Sequence, residues 1–185
     1  MARRPPTLTD PWLREQARRY LQRWTPSERR MRDVLKRRVR TCVEAGTGTW
    51  AEGLSLVDAI VADLLADGAL DDDRFARMWV DDLHRRGTSR RKIVAKLREK
   101  GVDRETADRA MSALDDGLEA LDPELERAVA YVRRRRLGPA RWDPQTRVDR
   151  REKDLAAVAR AGFPFGIALA VIDADDLDEL LAQAR

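Results

Sequence analysis

Four times along this chain a residue suited to capping a helix is followed at once by proline: Asp10-Pro11, Thr25-Pro26, Asp122-Pro123 and Asp143-Pro144. Proline has no N–H to give to a ladder, and its φ is fixed near the helical value. It therefore suits the first turn of a helix and is out of place in a central strand. The apolar residues that follow each start recur at spacings of three and four. Leu13, Ala17, Tyr20, Leu21 and Trp24 make the first stripe, and Met31, Val34, Leu35 and Val39 the second. Leu125, Ala128, Val129 and Val132 make a third, and Val148, Leu155, Val158 and Ala159 a fourth. This is the period of an amphipathic helix. Sustained alternation of β-branched residues is absent, so the chain is expected to be all-α.

Between these starts the same pattern yields more helices. Ser55 is placed to cap a helix carrying Val57, Ile60, Val61, Leu64 and Leu65, closed by Asp67-Gly68. Asp103 precedes Ala107, Ala110, Met111 and Leu114, and Phe163, Phe165, Ile167, Ala168, Val171 and Ile172 make a last apolar helix opened by Pro164. Residues 45–54 hold three glycines and read as a loop. The central stretch from Ala69 to Val102 reads as two short helices joined at Gly87. Asp71-Asp72-Asp73 opens the first, whose stripe is Phe75, Met78, Trp79 and Leu83. Ser89 opens the second, which turns Ile93, Val94 and Leu97 inward and stops at Gly101.

The expected nine helices fall into three sets of three. Ser27…Met31…Leu35 is echoed by Ser89…Ile93…Leu97, 62 residues on, and Glu99-Lys100-Gly101-Val102 by Arg160-Ala161-Gly162-Phe163, 61 residues on. A period near 60 built from helical triplets is the mark of a repeat array. The charged fraction of 38% exceeds the usual ~25%, as thin helical layers with much surface require. The reading is an elongated array of three tandem three-helix repeats. Residues 1–9 form a flexible basic arm. The repeats span 10–68, with a loop insertion near 45–54, then 69–116 and 122–176, and 177–185 is an acidic tail that frays or extends a last helix.

Several kinds of chemistry are excluded or poorly supported. Cys42 is the only cysteine and His84 the only histidine, so thiolate zinc sites, internal disulfides and Cys-His catalysis are out. His84, near a basic helix end, reads as a surface residue. Gly46-Thr47-Gly48-Thr49 lacks the lysine of a phosphate loop and reads as a turn. The Asp71–Asp73 triplet lacks the remaining ligands of a calcium loop and reads as a cap. No catalytic residue, cofactor or metal site is expected, and the chain reads as no enzyme. With no run of about 18 apolar residues and no signal-peptide core, a cytoplasmic, monomeric protein with no membrane partner is expected.

Charge is where the sequence speaks of function. The net charge of +4 hides blocks: residues 41–126 hold 12 basic and 20 acidic side chains, residues 127–172 hold 11 and 4. The basic clusters are Arg85, Arg86, Arg90, Arg91, Lys92, Lys96 and Arg98, then Arg133, Arg134, Arg135 and Arg136, then Arg147, Arg150 and Arg151. Such clusters suit phosphates or an acidic protein surface; a solvated helix face is the plainer reading of any one block. Of the five tryptophans, Trp24 and Trp79 lie on apolar stripes and are expected in the core. Trp50 and Trp142 lie in expected loops as exposed anchors.

The central stretch resembles the RecX family of recombinase regulators. The resemblance is carried by Leu70-Asp71-Asp72, Arg74-Phe75-Ala76-Arg77-Met78-Trp79, Arg85-Arg86-Gly87 and Lys96-Leu97-Arg98-Glu99-Lys100-Gly101-Val102, and extends to Arg160-x-Gly162-Phe163. It is sharp over 69–114, moderate over 123–172 and weak over 12–68. The glycine-rich 41–56 segment and the basic arm depart from the family pattern. The resemblance implies tandem three-helix repeats and the RecA filament as partner, with single-stranded DNA a weaker or indirect one. The protein would lie in the groove of the RecA–single-stranded DNA filament and restrain ATP hydrolysis, strand exchange and repressor cleavage. The alternatives are a DNA-binding helical module that acts without RecA, and a purely structural scaffold.

Overall fold

The computed structural model describes residues 6–117 and 122–184. Among these residues there are ten α-helices and no strand. The chain divides into two compact units: one runs to Phe75 and includes Lys100–Val102, the other comprises Ala76–Glu99 and Asp103 onward.

The first unit is built on α1 (Asp10–Leu21), α2 (Glu28–Glu44) and α3 (Trp50–Ala66). Leu13 and Ala17 from α1, Met31, Leu35 and Val39 from α2, and Val57, Ile60 and Val61 from α3 close one core with Leu70. The caps sit slightly apart from their expected places. Thr9, not Asp10, accepts from the Trp12 N–H, and Ser27, not Thr25, accepts from the Arg30 N–H. The larger correction is at 45–54. Only its first half is a turn, and α3 starts at Trp50, capped by Thr49 in a reciprocal box with Glu52. Gly53 lies inside this helix, where a Cβ would stand 2.1 Å from Val39 Cγ1, so it marks a close helix approach rather than a loop. Residues 6–9 are not a free arm either. Leu8 N–H donates to the Thr47 carbonyl (3.2 Å), and the Thr47 hydroxyl donates to that of Pro6 (2.6 Å). The expected flexibility of residues 1–5 falls outside the described residues.

Helix α4 (Asp72–Arg85) begins in the first unit and continues into the second. Asp71 caps it, accepting from the Arg74 N–H at 2.8 Å, as expected of the acidic triplet. The second unit holds α5 (Arg90–Glu99), α6 (Arg104–Gly117), α7 (Pro123–Arg135), a 3-10 turn (Gly138–Ala140), α8 (Pro144–Arg160), α9 (Phe165–Asp173) and α10 (Leu177–Gln183). Asp122 and Asp143 cap α7 and α8, each followed by its proline. Leu125, Ala128, Val129 and Val132 of α7 pack with Val158, Phe163, Ala168, Val171 and Ile172. The acidic end folds as α10, capped by Asp176, with Leu177 buried in the same core.

Five apolar residues expected or suited to the core are exposed. Trp24 (62% exposed) follows the end of α1 and turns away with the chain. Met78 is off the true stripe of α4, which runs Phe75, Ala76, Val80, Leu83. Val148 lies about a third of a turn from the face of Asp154 and Val158 that α8 buries. Leu65 sits on the flank of α3, and Phe165 at the first position of α9.

The period near 60 recurs in the contacts. In the first unit the Ser27 hydroxyl donates to the Lys100 carbonyl (2.5 Å), and Asp72 Oδ1 accepts from the Glu28 N–H (2.8 Å). In the second the Ser89 hydroxyl donates to the Ala161 carbonyl (2.7 Å), and Glu124 accepts from the Arg90 N–H (3.1 and 3.2 Å). Each time, a serine before a helix reaches the carbonyl just past the end of the third helix further on, and a carboxylate caps the serine's helix from outside. Gly101 and Gly162, both at positive φ, lie against Arg29 and against Ser89 and Arg91 respectively.

Candidate basic interaction surface

The three expected basic clusters lie on α4–α5, on the end of α7 and on the first half of α8. They differ in how much of their charge is already committed.

On α5, Ile93 and Leu97 are fully buried. Arg90 precedes them by three and seven residues and so shares their face. Its guanidinium meets Asp115 at 2.6 Å, and its own N–H is capped by Glu124. Behind it Arg127, 1% exposed, donates to Glu124 at 2.8 Å and to Asp115 at 3.0 Å. Two arginines and two carboxylates thus form an internal network at the start of α5. Arg90 is tied into it through Asp115, with its side chain partly exposed. Arg91, Lys92, Lys96 and Arg98 occupy the opposite side of α5, exposed. At the end of α4, Arg85 is exposed and Arg86 is held by Asp82 at 3.0 Å.

On α7, Arg133 pairs with Asp178 of α10 at 2.7 Å, Arg134 lies 5.9 Å from the Tyr131 ring centre, and Arg135 is exposed. Arg136 follows in a left-handed conformation (φ 53°) with its guanidinium 5.4 Å from the ring centre of Trp142. On α8, Arg147 donates to the Ala174 carbonyl at 2.5 Å, and Arg151 forms two bonds to Asp173, at 2.7 and 2.6 Å. These bonds to Asp173 hold Arg151 above its ordinary pKa and the carboxyl of Asp173 below its own. Arg150 is exposed. Within these three clusters the unneutralised charge is therefore concentrated on α5 and at the end of α7.

Two polar groups that sequence reasoning missed hold this surface in place. Arg127 sits on the side of α7 away from its apolar stripe, where periodicity places it in solvent. It is covered because the turn at Gly87 packs on that side: a Cβ on Gly87 would meet Tyr131 N at 2.3 Å and Arg127 O at 2.7 Å. Asp154, 2% exposed, accepts from Arg141 at 2.6 and 2.7 Å and from the Gly138 N–H at 2.9 Å. Burial raises the pKa of that carboxyl, but the guanidinium and the amide outweigh it and hold it below the usual range. His84 is a correction too. Its side chain is only 12% exposed, with Nε2 3.5 Å from Glu126. Burial pulls its pKa down against the attraction of Glu126. Trp50 is exposed but on a helix, and Trp79 is half-buried.

Among the described residues no group of histidine, cysteine and carboxylate side chains could hold a metal ion, and no helix is long and apolar enough to cross a membrane. Cys42 is buried, which raises its thiol pKa in spite of the Thr47 hydroxyl.

Residues 71–111, covering α4, α5 and the first half of α6, match the model of the RecX second three-helix domain. The chain is 38% identical to the regulatory protein RecX of Myxococcus xanthus over 94% of its own length and 90% of the relative's. It belongs to the RecX family. Regulatory protein RecX of Agrobacterium fabrum is 32% identical over 94% and 89% of the two chains, and that of Mycobacterium marinum 31% over 92% and 91%. No solved structure matches. Family membership thus covers nearly the whole chain, including the 12–68 region where the sequence resemblance is weak, and its relatives are named as regulatory proteins.

Proposed function

We propose that this RecX-family chain regulates a RecA recombinase by binding the RecA–single-stranded DNA filament and inhibiting its ATPase, strand-exchange and co-protease activities. The mechanism is steric and electrostatic, and the chain itself catalyses nothing. It acts as a cytoplasmic monomer of three helical triplets, 10–68, 69–116 and 122–176. The observation that carries this reading is the split between committed and free charge. Arg91, Lys92, Lys96 and Arg98 stand exposed on one side of α5, whose other side is fixed by the Arg90–Asp115–Arg127–Glu124 network. A rigid helix showing uncommitted cations suits a partner made of phosphate and acidic protein. Arg133, Arg147 and Arg151, counted with the contact surface on sequence grounds, are better read as internal ties.

The test is cosedimentation with recombinase alone, with single-stranded DNA alone and with the assembled filament, alongside the filament's ATPase rate. The reading expects preferential retention by the filament and a slower ATPase. Equal binding to bare DNA with no effect on the ATPase would establish the second reading, a DNA-binding module that acts without RecA. That reading draws on the exposed Trp142 beside Arg136.

A further inference from the structure

Five of the ten helices described are followed by a glycine at positive φ: Gly46 after α2, Gly68 after α3, Gly87 after α4, Gly101 after α5 and Gly162 after α8. The end of α7 is turned by Arg136 instead. Among the described residues Arg136 is the one non-glycine at positive φ (φ 53°, ψ 56°), although Gly138 lies only two positions further on. A left-handed arginine is strained, because its Cβ crowds the following carbonyl. Strain that a neighbouring glycine could have removed is a pointer to function. Its effect here is to bring the Arg136 guanidinium to 5.4 Å from the ring centre of Trp142. Trp142 is 84% exposed, the most exposed of the large apolar side chains described. It is packed into no core, and it stands between the 3-10 turn and α8, fixed in place by its neighbours. Arg141 before it is clamped to buried Asp154, and Asp143 after it caps α8.

We propose that Trp142 is a stacking platform for a base of single-stranded DNA, with Arg136 over the indole and Arg135 and Arg136 facing the adjoining phosphates. An acidic side chain would satisfy the arginines and leave the indole in water. An apolar side chain would cover the indole and desolvate Arg136 without a counter-charge. A nucleotide brings a flat π-face and an anion together, and stacking on an exposed aromatic needs no particular base. The strand must be single, because in a duplex the faces of the bases are already stacked. The choice of DNA rests on the filament reading above; the stacking geometry does not.

The experiment uses the full chain without recombinase. Binding is measured by fluorescence anisotropy to a labelled oligo-dT of about 20 nucleotides and to an abasic oligomer of equal length, for the parent, Trp142→Ala, Trp142→Phe and Arg136→Gly. The parent should prefer oligo-dT by about tenfold, the scale of one stacked base. Trp142→Ala should bring the two oligomers within about twofold, with an unchanged melting temperature because the ring is exposed. Trp142→Phe should keep most of the preference. Arg136→Gly, which relieves the strained backbone, should weaken binding to both oligomers while raising the melting temperature or leaving it unchanged. The proposal is overturned if the parent binds neither oligomer or both equally, or if Trp142→Ala keeps the full preference. With no recombinase present, these outcomes stand apart from success or failure of filament regulation.

Discussion

The hydroxyl of Ser27 does two things at once. It accepts the Arg30 N–H at the start of α2 and donates to the Lys100 carbonyl. Ser89 makes the matching donation to Ala161, with both serines fully buried. Removing the Ser89 hydroxyl strands the buried Ala161 carbonyl, so Ser89→Ala should cost about 1–3 kcal/mol, read as a shifted urea midpoint. Arg127 carries more. Its loss leaves Asp115 and Glu124 facing each other with only Arg90 between them, and Arg127→Ala should cost about 3–5 kcal/mol. An Arg127→Ala midpoint equal to the parent's would mean that the network is dispensable. Asp154 gives a pH signature. Its pKa is lower folded than unfolded, so its contribution to stability is complete above the unfolded carboxylate value of about 3.9 and is lost as pH falls through the folded value. The stability gap between the parent and Asp154→Asn should therefore be constant from pH 7 to about 5 and narrow below about 4. A gap that widens on acidification would show that the sign is wrong.

At the scale of elements, the two turns at Gly46 and Gly162 separate backbone strain from packing. Both glycines have positive φ, at 69° and 98°. A Cβ on Gly46 meets nothing within 4 Å, whereas on Gly162 it would stand 2.6 Å from Ser89 Oγ. Gly46→Ala should cost about 1–2 kcal/mol from the left-handed backbone alone, and Gly162→Ala clearly more, as seen in paired thermal melts. Helices were legible in the sequence because caps, prolines and a 3.6-residue period act locally. The joint was half legible. The echo of Ser27 in Ser89 and the echo of Lys100-Gly101 in Ala161-Gly162 were both visible. That Ser27 bonds to Lys100, and Ser89 to Ala161, is a tertiary fact that no spacing contains. Gly53 misled for the same reason: a glycine signals a loop until the neighbouring helix that needs the space is known. Arg127 was illegible because periodicity finds one buried face per helix, and Arg127 lies on a second covered face of α7. Asp154 shares the buried face of Val158, but a charge is read as exposed until its partners, Arg141 and the Gly138 N–H, are known.

At the scale of the whole chain, a modest net charge conceals two populations of cations, and their separation decides what binding should look like. Arg90, Arg133 and Arg151 answer acidic groups within the second unit, and Arg147 a backbone carbonyl there. Arg91, Lys92, Lys96 and Arg98 answer none among the described residues. If the filament's phosphates are what the second population meets, each contact releases condensed counterions, and each one lost should lower the salt slope of binding by about one unit. A variant carrying Arg91→Ala, Lys92→Ala, Lys96→Ala and Arg98→Ala should melt like the parent, bind the filament more weakly at low salt and show a flatter slope. Arg90→Ala should do the reverse: a lower melting temperature, because Asp115 keeps Arg127 as its one arginine partner in the network, and a slope close to the parent's once the protein is folded. Contacts with acidic recombinase side chains would weaken binding in the quadruple variant with less change in slope, because fewer condensed ions are displaced. Should the quadruple variant bind and inhibit as the parent does at every salt concentration, the cations of α5 are solvated surface only, and the contact lies elsewhere on the chain.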